Sequence, residues 1–275
     1  VPEIKPVGSS SRINLLLHTV PGWGKTTFIG SGGKEYDIII MRPPIDHVDA
    51  IIGSGVREMV VNNWEDIWEG LDQIRHLDKP PDIFAMDSVS LLQDIGLDDV
   101  YEGILDKKGP PGSQARKDRE QFGPDQGEYR VNMWRLAQWV RHAVGAAEFD
   151  LILTAHSFWY EPKGSDEAYI APWVQGKAMP ERMCGMMNAV GYGTLEEYQV
   201  RGNTKQRRVI NWDAKDDYYA KCQFKVNGAP VFPEGRTLNP TLPEVWAEIK
   251  KGRPVVKGRR PAAANPVRRR RGSKP

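Results

Sequence analysis

Thr19-Val-Pro-Gly-Trp-Gly-Lys-Thr-Thr27 is the stretch from which the rest of this chain can be read. Gly22 and Gly24 let successive backbone N–H groups turn inward, where they can cradle an anion. Lys25 adds a point charge for the β/γ-phosphates of a nucleotide, and the Thr26 hydroxyl is a ligand for Mg²⁺. Val20, Pro21 and Thr27 complete the loop. The phosphate-loop pattern is broken only at its first position, where Thr19 stands in place of glycine. The context fits, because residues 13–18 are a short apolar run that suits a buried parallel strand and residues 25–29 read as the start of a helix. Trp23 is the unusual member. It stacks on a base or a neighbouring subunit, or it covers the helix start.

A second motif supports the first. Ile83-Phe-Ala-Met-Asp87 is an apolar strand ending in a carboxylate, as needed to hold the shell of a Mg²⁺ ion bound to phosphates. The bland alternative makes Asp87 a cap for the helix that follows. Together the two motifs imply a P-loop ATPase with ATP and Mg²⁺ as cofactors, Thr26 and Asp87 being the metal ligands.

From here a resemblance becomes specific. Asp87-Ser-Val-Ser-Leu-Leu92 resembles the end of the Walker B strand in RecA-like ATPases, and Leu151-Ile-Leu-Thr-Ala-His156 resembles their next strand, whose polar tip senses the γ-phosphate. The Thr-Ala-His form is similar to phage RecA-like ATPases, including the Sak-type single-strand annealing proteins. Pro172-Trp-Val-Gln-Gly-Lys177 fits the segment after their DNA loop. Ala220-Lys-Cys-Gln-Phe224 sits where they carry a Lys-Asn/Asp-Arg-Phe motif. The resemblance spans residues 13–224. It implies that His156 reads the γ-phosphate, the alternative being a core histidine at a strand end. It also implies that Lys221 reaches a neighbouring subunit's ATP, although Cys222 and Gln223 depart from the motif and a surface lysine is the competing reading. Relatives place a general-base Glu just after the strand beside the phosphate-loop strand. Met41-Arg-Pro-Pro-Ile-Asp46 has none, so Asp46 is the nearest carboxylate, either a short-armed base with slow turnover or a turn residue.

The expected fold is α/β, a RecA-like P-loop NTPase core with a largely parallel sheet, helices on both faces and antiparallel strands toward the C-terminus. Strands are expected at 36–41, 83–86 and 151–154, with later, antiparallel ones at 189–199, 207–212 and 218–224. Helices are expected at 63–76, 131–147 and 244–250. Residues 105–124 and 157–172 read as loops. There is no internal repeat and no clear second domain: residues 1–12 form a short arm, 13–249 the ATPase core and 250–275 a basic tail.

The two loops would line a path for single-stranded DNA if the RecA-like architecture holds. The first offers Lys107, Lys108, Arg116, Lys117 and Arg119, and the second Phe158, Trp159, Tyr160 and Lys163. Cations track phosphates and rings stack on bases. A solvated loop with aromatics on the sheet edge is the bland counterpart. Eleven of the 38 Lys and Arg residues lie in 250–275 with no acid, which leaves 27 against 36 acidic residues, a formal −9, in the body. The tail, with Arg268, Arg269, Arg270 and Arg271 in one run among Pro, Gly and Ala, is expected to be disordered and drawn to nucleic-acid phosphates, or else simply solvated.

No stretch approaches the roughly 20 apolar residues of a membrane span. The two cysteines, Cys184 and Cys222, fit neither a disulfide framework nor a metal site. A cytoplasmic setting is expected, that of a bacterial host if the chain is phage-encoded.

The leading functional expectation is a DNA-dependent ATPase that binds single-stranded DNA and promotes annealing or recombination, with homo-oligomerisation and a single-strand-binding or replication protein as possible partners. Residues 1–12 are too short for the arm that links RecA subunits, so oligomerisation would be weak, DNA-dependent or mediated elsewhere. The alternative is a nucleotide-gated adaptor or loader with little turnover. A packaging motor would need Glu directly after Asp87, and Ser88 stands there.

Overall fold

A computed structural model describes residues 12–45, 49–108, 110–111, 113–121, 123–146, 148–161, 168–215 and 217–252. In chain order the elements are β1 (Asn14–Thr19), α1 (Lys25–Gly30), β2 (Ile38–Arg42), β3 (Arg57–Val60), α2 (Trp64–Arg75), β4 (Ile83–Met86), α3 (Val89–Lys108), α4 (Gln114–Glu120) and α5 (Gln126–Gly145). There follow β5 (Asp150–Tyr160), β6 (Tyr169–Pro172), α6 (Met179–Met186), β7 (Ala189–Val200), β8 (Asn203–Asn211), β9 (Lys221–Cys222), β10 (Lys225–Val226), β11 (Ala229–Pro230), β12 (Arg236–Leu238) and α7 (Leu242–Lys251).

Ten strands form one sheet in the order β12-β8-β7-β1-β5-β4-β2-β3, with β6 added to β5 and β9 to β7. From β7 through β3 every neighbouring pair is parallel, whereas β8, β12, β6 and β9 join antiparallel. The expected α/β fold of a largely parallel sheet is thus observed. One detail needs correction: β7 is antiparallel to β8 but parallel to β1, because its first half continues the parallel array.

The period of two along β1 shows why both faces are covered. Leu16 packs into a core shared with Trp64, Ile67 and Leu71 of α2, Leu92 of α3 and Trp139 of α5. Leu15 and Leu17 point the other way, onto Phe28 of α1 and Val245, Trp246 and Ile249 of α7. Asn63 caps α2 by accepting from Asp66 N at 2.8 Å, and Asp125 and Glu128 form a capping box at the start of α5.

Three expectations are overturned. The stretch 105–124 is not a long loop: α3 runs on to Lys108, and α4 follows. Its composition looks loop-like because α4 is held by charge rather than by an apolar stripe. The buried Arg116 bonds Glu102 (2.7 Å), Asp106 (2.9 Å) and Glu120 (3.0 Å), and Arg119 bonds Glu128. Nor is 157–172 a loop throughout, since β5 continues to Tyr160 and pairs with β6. Finally, Lys250 and Lys251 belong to α7, where the Lys250 ammonium lies 4.4 Å from the Tyr36 ring centre, so the basic tail begins later than residue 250. No helix among the described residues is long and apolar enough to cross a membrane.

Candidate nucleotide-binding site

β1 delivers the phosphate loop to the carboxyl edge of the sheet. Its last residue, Thr19, is fully buried between His156 of β5 and Gly193 of β7. The departure from glycine at this position has a structural reason. Thr19 is still in the strand, its methyl fills the space left by Gly193, and its hydroxyl donates to Val20 O at 3.1 Å. The left-handed backbone falls instead on Gly22 (φ 75°) and Gly24 (φ 93°), where side chains would be strained. Pro21 and Gly22 are exposed at the loop's crest.

Trp23 does not reach out to a base or to a neighbour. It is 1 % exposed, and its indole N–H donates to Thr194 O and Val209 O, both at 3.1 Å. Of the two readings in the sequence, the internal one holds, with the added point that Trp23 fastens the loop to the β7–β8 hairpin. Sequence reasoning had no signal for this partner, which lies about 170 residues away in the chain.

β5 sits between β1 and β4, so its end stands between the loop and Asp87. Thr26 Oγ1 donates to Asp87 Oδ2 at 2.6 Å. The other carboxylate oxygen accepts from Thr154 Oγ1, which is wholly buried and also lies 3.4 Å from Met86 O. Asp87, 3 % exposed, is thereby turned so that Oδ2 faces the loop. Thr154 entered the sequence reading only as part of the Thr-Ala-His form and was given no role, although a lone threonine two positions before His156 in an apolar strand shares that residue's face and is the signal that could have found it. A hydroxyl and a carboxylate converging beside a lysine fit Mg²⁺ carried on nucleotide phosphates, where most of the shell is phosphate and water. Among the described residues no group of three or more His, Cys, Asp or Glu side chains could hold a metal ion.

Lys25 Nζ lies 3.4 Å from His156 Nδ1. Burial, then the Lys25 charge, lowers the His156 pKa from the ordinary imidazole value, against a smaller opposing effect of Asp87. The ring is therefore neutral near pH 7 and can face the ammonium as an acceptor. Its backbone N–H donates to Ser90 Oγ (2.9 Å), and Ser90 Oγ donates to Trp173 O (2.9 Å). Ser90, at the start of α3, thus joins the Asp87 segment to β5 and to Trp173, the residue that follows β6; the sequence reading gave it no role.

The remaining candidates are dispersed. Asp46, Lys163 and Arg268 to Arg271 lie outside the described residues. Lys221 pairs with Val190, which is level with Leu16 and about 10 Å of strand back from Thr19, so it stands away from its own chain's phosphate loop. Burial lowers its pKa. Lys107, Lys108 and Lys117 are exposed, whereas Arg116 and Arg119 are engaged with carboxylates of α3, α4 and α5. Phe158 is half-buried, Tyr160 is buried with its hydroxyl on Lys177 O, and Trp159 is 63 % exposed.

A family model described as an AAA domain matches residues 11–224. The chain belongs to the AAA domain family. No curated protein matches it in sequence. Among solved structures, this AAA domain is similar to the RadB recombinase, at 9 % identity over 83 % of this chain and 90 % of that one, with a TM-score of 0.43. It is similar to the flagellar accessory protein FlaH from Methanocaldococcus jannaschii at 11 % identity, 85 % and 91 % coverage and a TM-score of 0.35. It is also similar to a DnaB-like replicative helicase at 10 % identity, 78 % and 53 % coverage and a TM-score of 0.38. The AAA domain is a P-loop ATPase domain whose phosphate loop, Thr26–Asp87 contact and His156 lie at one edge of the sheet.

Proposed function

We propose that this AAA domain binds ATP with Mg²⁺ through residues 19–27 and Asp87, hydrolyses it slowly, and couples that cycle to single-stranded DNA in annealing or recombination. The observation that carries the reading is the Ser90 bridge, which ties His156, beside Lys25, to the hairpin presenting exposed Trp159. Bound nucleotide would supply the γ-phosphoryl group. Lys25 and the loop N–H groups hold the phosphates, Thr26 and Asp87 hold the cation, and neutral His156 follows the γ-phosphate. Trp159 and Phe158 offer ring faces for bases, with Lys163 beside them in sequence and Lys107, Lys108 and Lys117 as further cations. Asp46 is the candidate base, and Lys221 would act on a neighbouring subunit's nucleotide, which makes a homo-oligomer part of the proposal. A Sak-type phage protein working in the cytoplasm of a bacterial host, alongside a single-strand-binding or replication protein, fits the same reading. The run Arg268 to Arg271 would add phosphate contacts.

The test is the steady-state ATP hydrolysis rate with and without single-stranded DNA, with Lys25→Ala as the blank. DNA stimulation that vanishes in the variant supports the proposal. A rate at the level of the blank despite measurable ATP binding favours a nucleotide-gated adaptor instead. That second reading draws on one observation: Arg116 and Arg119, two of the five cations expected to hold DNA in the first loop, are already paired with carboxylates.

A further inference from the structure

Arg207 and Arg208 are consecutive on β8, so their side chains leave opposite faces of the sheet. Arg207 is paired with Glu196 at 3.2 Å, and the same carboxylate holds Arg236 at 2.6 Å. Arg208 takes the other face, toward the phosphate loop. Its Nη1 lies 3.5 Å from where a Cβ on Gly24 would stand, a point that is also 3.6 Å from Thr27 Oγ1. Its guanidinium carbon is 5.6 Å from the centre of the Trp23 ring. Among the described residues this guanidinium makes no ion pair and no hydrogen bond, although it is half-buried.

The backbone that carries Arg208 is fixed. Its N–H donates to Asn239 Oδ1 at 3.3 Å, and its carbonyl accepts from Asn239 N–H at 2.7 Å. The next residue, Val209, accepts from the Trp23 indole, so the strand bearing Arg208 is bonded to the loop it faces. A fork of N–H donors held beside a phosphate loop, with no carboxylate to neutralise it, is complementary to a phosphate oxygen.

We propose that Arg208 is a nucleotide-binding residue acting within its own chain, donating to the phosphate chain on the Gly24–Thr27 side of the loop. The inference rests on the nucleotide-binding reading of residues 19–27 and adds to it a ligand that lies at least 181 positions downstream of them. Its placement sets its selectivity. In the sheet, β8 and β7 lie on one side of β1, and β5 and β4, which carry His156 and Asp87, lie on the other. Arg208 therefore stands away from the γ-phosphate end and engages nucleoside diphosphate and triphosphate alike.

The experiment is equilibrium binding of fluorescent ADP and of a fluorescent non-hydrolysable ATP analogue, both with Mg²⁺, to the full chain and to Arg208→Ala, Arg208→Lys and Lys25→Ala. Arg208→Ala is expected to weaken both nucleotides about tenfold or more, the usual effect of losing a charged hydrogen bond, with Arg208→Lys recovering part of the loss. Nucleotide-free melting temperature should stay within a few degrees of the parent. Unchanged affinity in Arg208→Ala beside lost affinity in Lys25→Ala overturns the role of Arg208 and leaves the nucleotide site standing. Unchanged affinity in both variants overturns the two together. A loss confined to the ATP analogue overturns the placement. A melting loss that parallels the affinity loss, unrelieved in Arg208→Lys, overturns the role in favour of a structural one.

Discussion

Thr19 and His156 are register partners across the parallel pair β1–β5, so the residue that starts the phosphate loop and the residue facing Lys25 stand side by side at one sheet edge. No flexible linker separates them. Strand spacing sets the distance between the start of the loop and the backbone of His156, and from there the Lys25 side chain reaches the imidazole at 3.4 Å.

Asp87→Asn keeps the shape but removes the charge opposite Thr26. Nucleotide binding is expected to persist, while kcat for ATP falls on the order of 10²-fold or more, as for other losses of charge stabilisation at a transferring group. Steady-state hydrolysis alongside a nucleotide-binding titration checks it.

Thr154→Val removes the donor that turns Asp87 toward the loop, in an equal volume. The Mg²⁺ concentration for half-maximal hydrolysis should rise about tenfold, the scale of such supporting contacts, and excess Mg²⁺ should restore kcat. A variant whose kcat stayed low at all Mg²⁺ concentrations would show that Thr154 does something else.

His18 is fully buried on β1, with Nδ1 3.0 Å from Ser157 Oγ and Nε2 2.8 Å from Tyr219 O, and burial lowers its pKa to about 4. Because the folded value lies below the unfolded one, the fold holds its full stability above about pH 6.5 and loses it as pH falls toward 4. The loss from this one group is on the order of 3 kcal/mol by pH 4. Urea unfolding across that range should show it, and the slope should flatten in His18→Gln.

Gly193→Ala places a methyl 2.6 Å from Thr19 Cγ2 and 2.9 Å from Trp23 Cε2. Both neighbours are buried, so overpacking should destabilise by roughly 1–3 kcal/mol, measured by chemical denaturation. Trp23→Phe should lose about 1–2 kcal/mol by a different route, since the indole N–H no longer reaches Thr194 O and Val209 O.

Deleting residues 253–275 should flatten the salt dependence of any single-stranded DNA binding if the run at Arg268 to Arg271 contacts phosphates. An unchanged slope would remove the tail from the proposal.

The turn at Gly22 and Gly24 and the carboxylate after β4 could be read directly because each is a local pattern: glycines where the backbone must turn, a carboxylate where an apolar strand stops. Strand β4 has the bounds its composition suggested. What could not be read depends on partners distant in the chain. Helix α4 lacks an apolar stripe and is held by Arg116 and Arg119 reaching α3 and α5. The last residues of β5, Ser-Phe-Trp-Tyr, become strand only because β6 returns to pair with them. The direction of β7 against β1 is set by how the chain crosses the sheet, and Arg208 belongs to no motif.

The unbroken course of β5 has a mechanical consequence. His156 and Trp159 are three residues apart, about 10 Å along one extended backbone that is bonded to β1 and β4 at its start and to β6 at its end. A hinged loop would absorb a push given at one end. A laddered strand bends far less, so under the proposed coupling of His156 to Trp159 the β5–β6 ladder is the element whose loss would uncouple nucleotide from DNA.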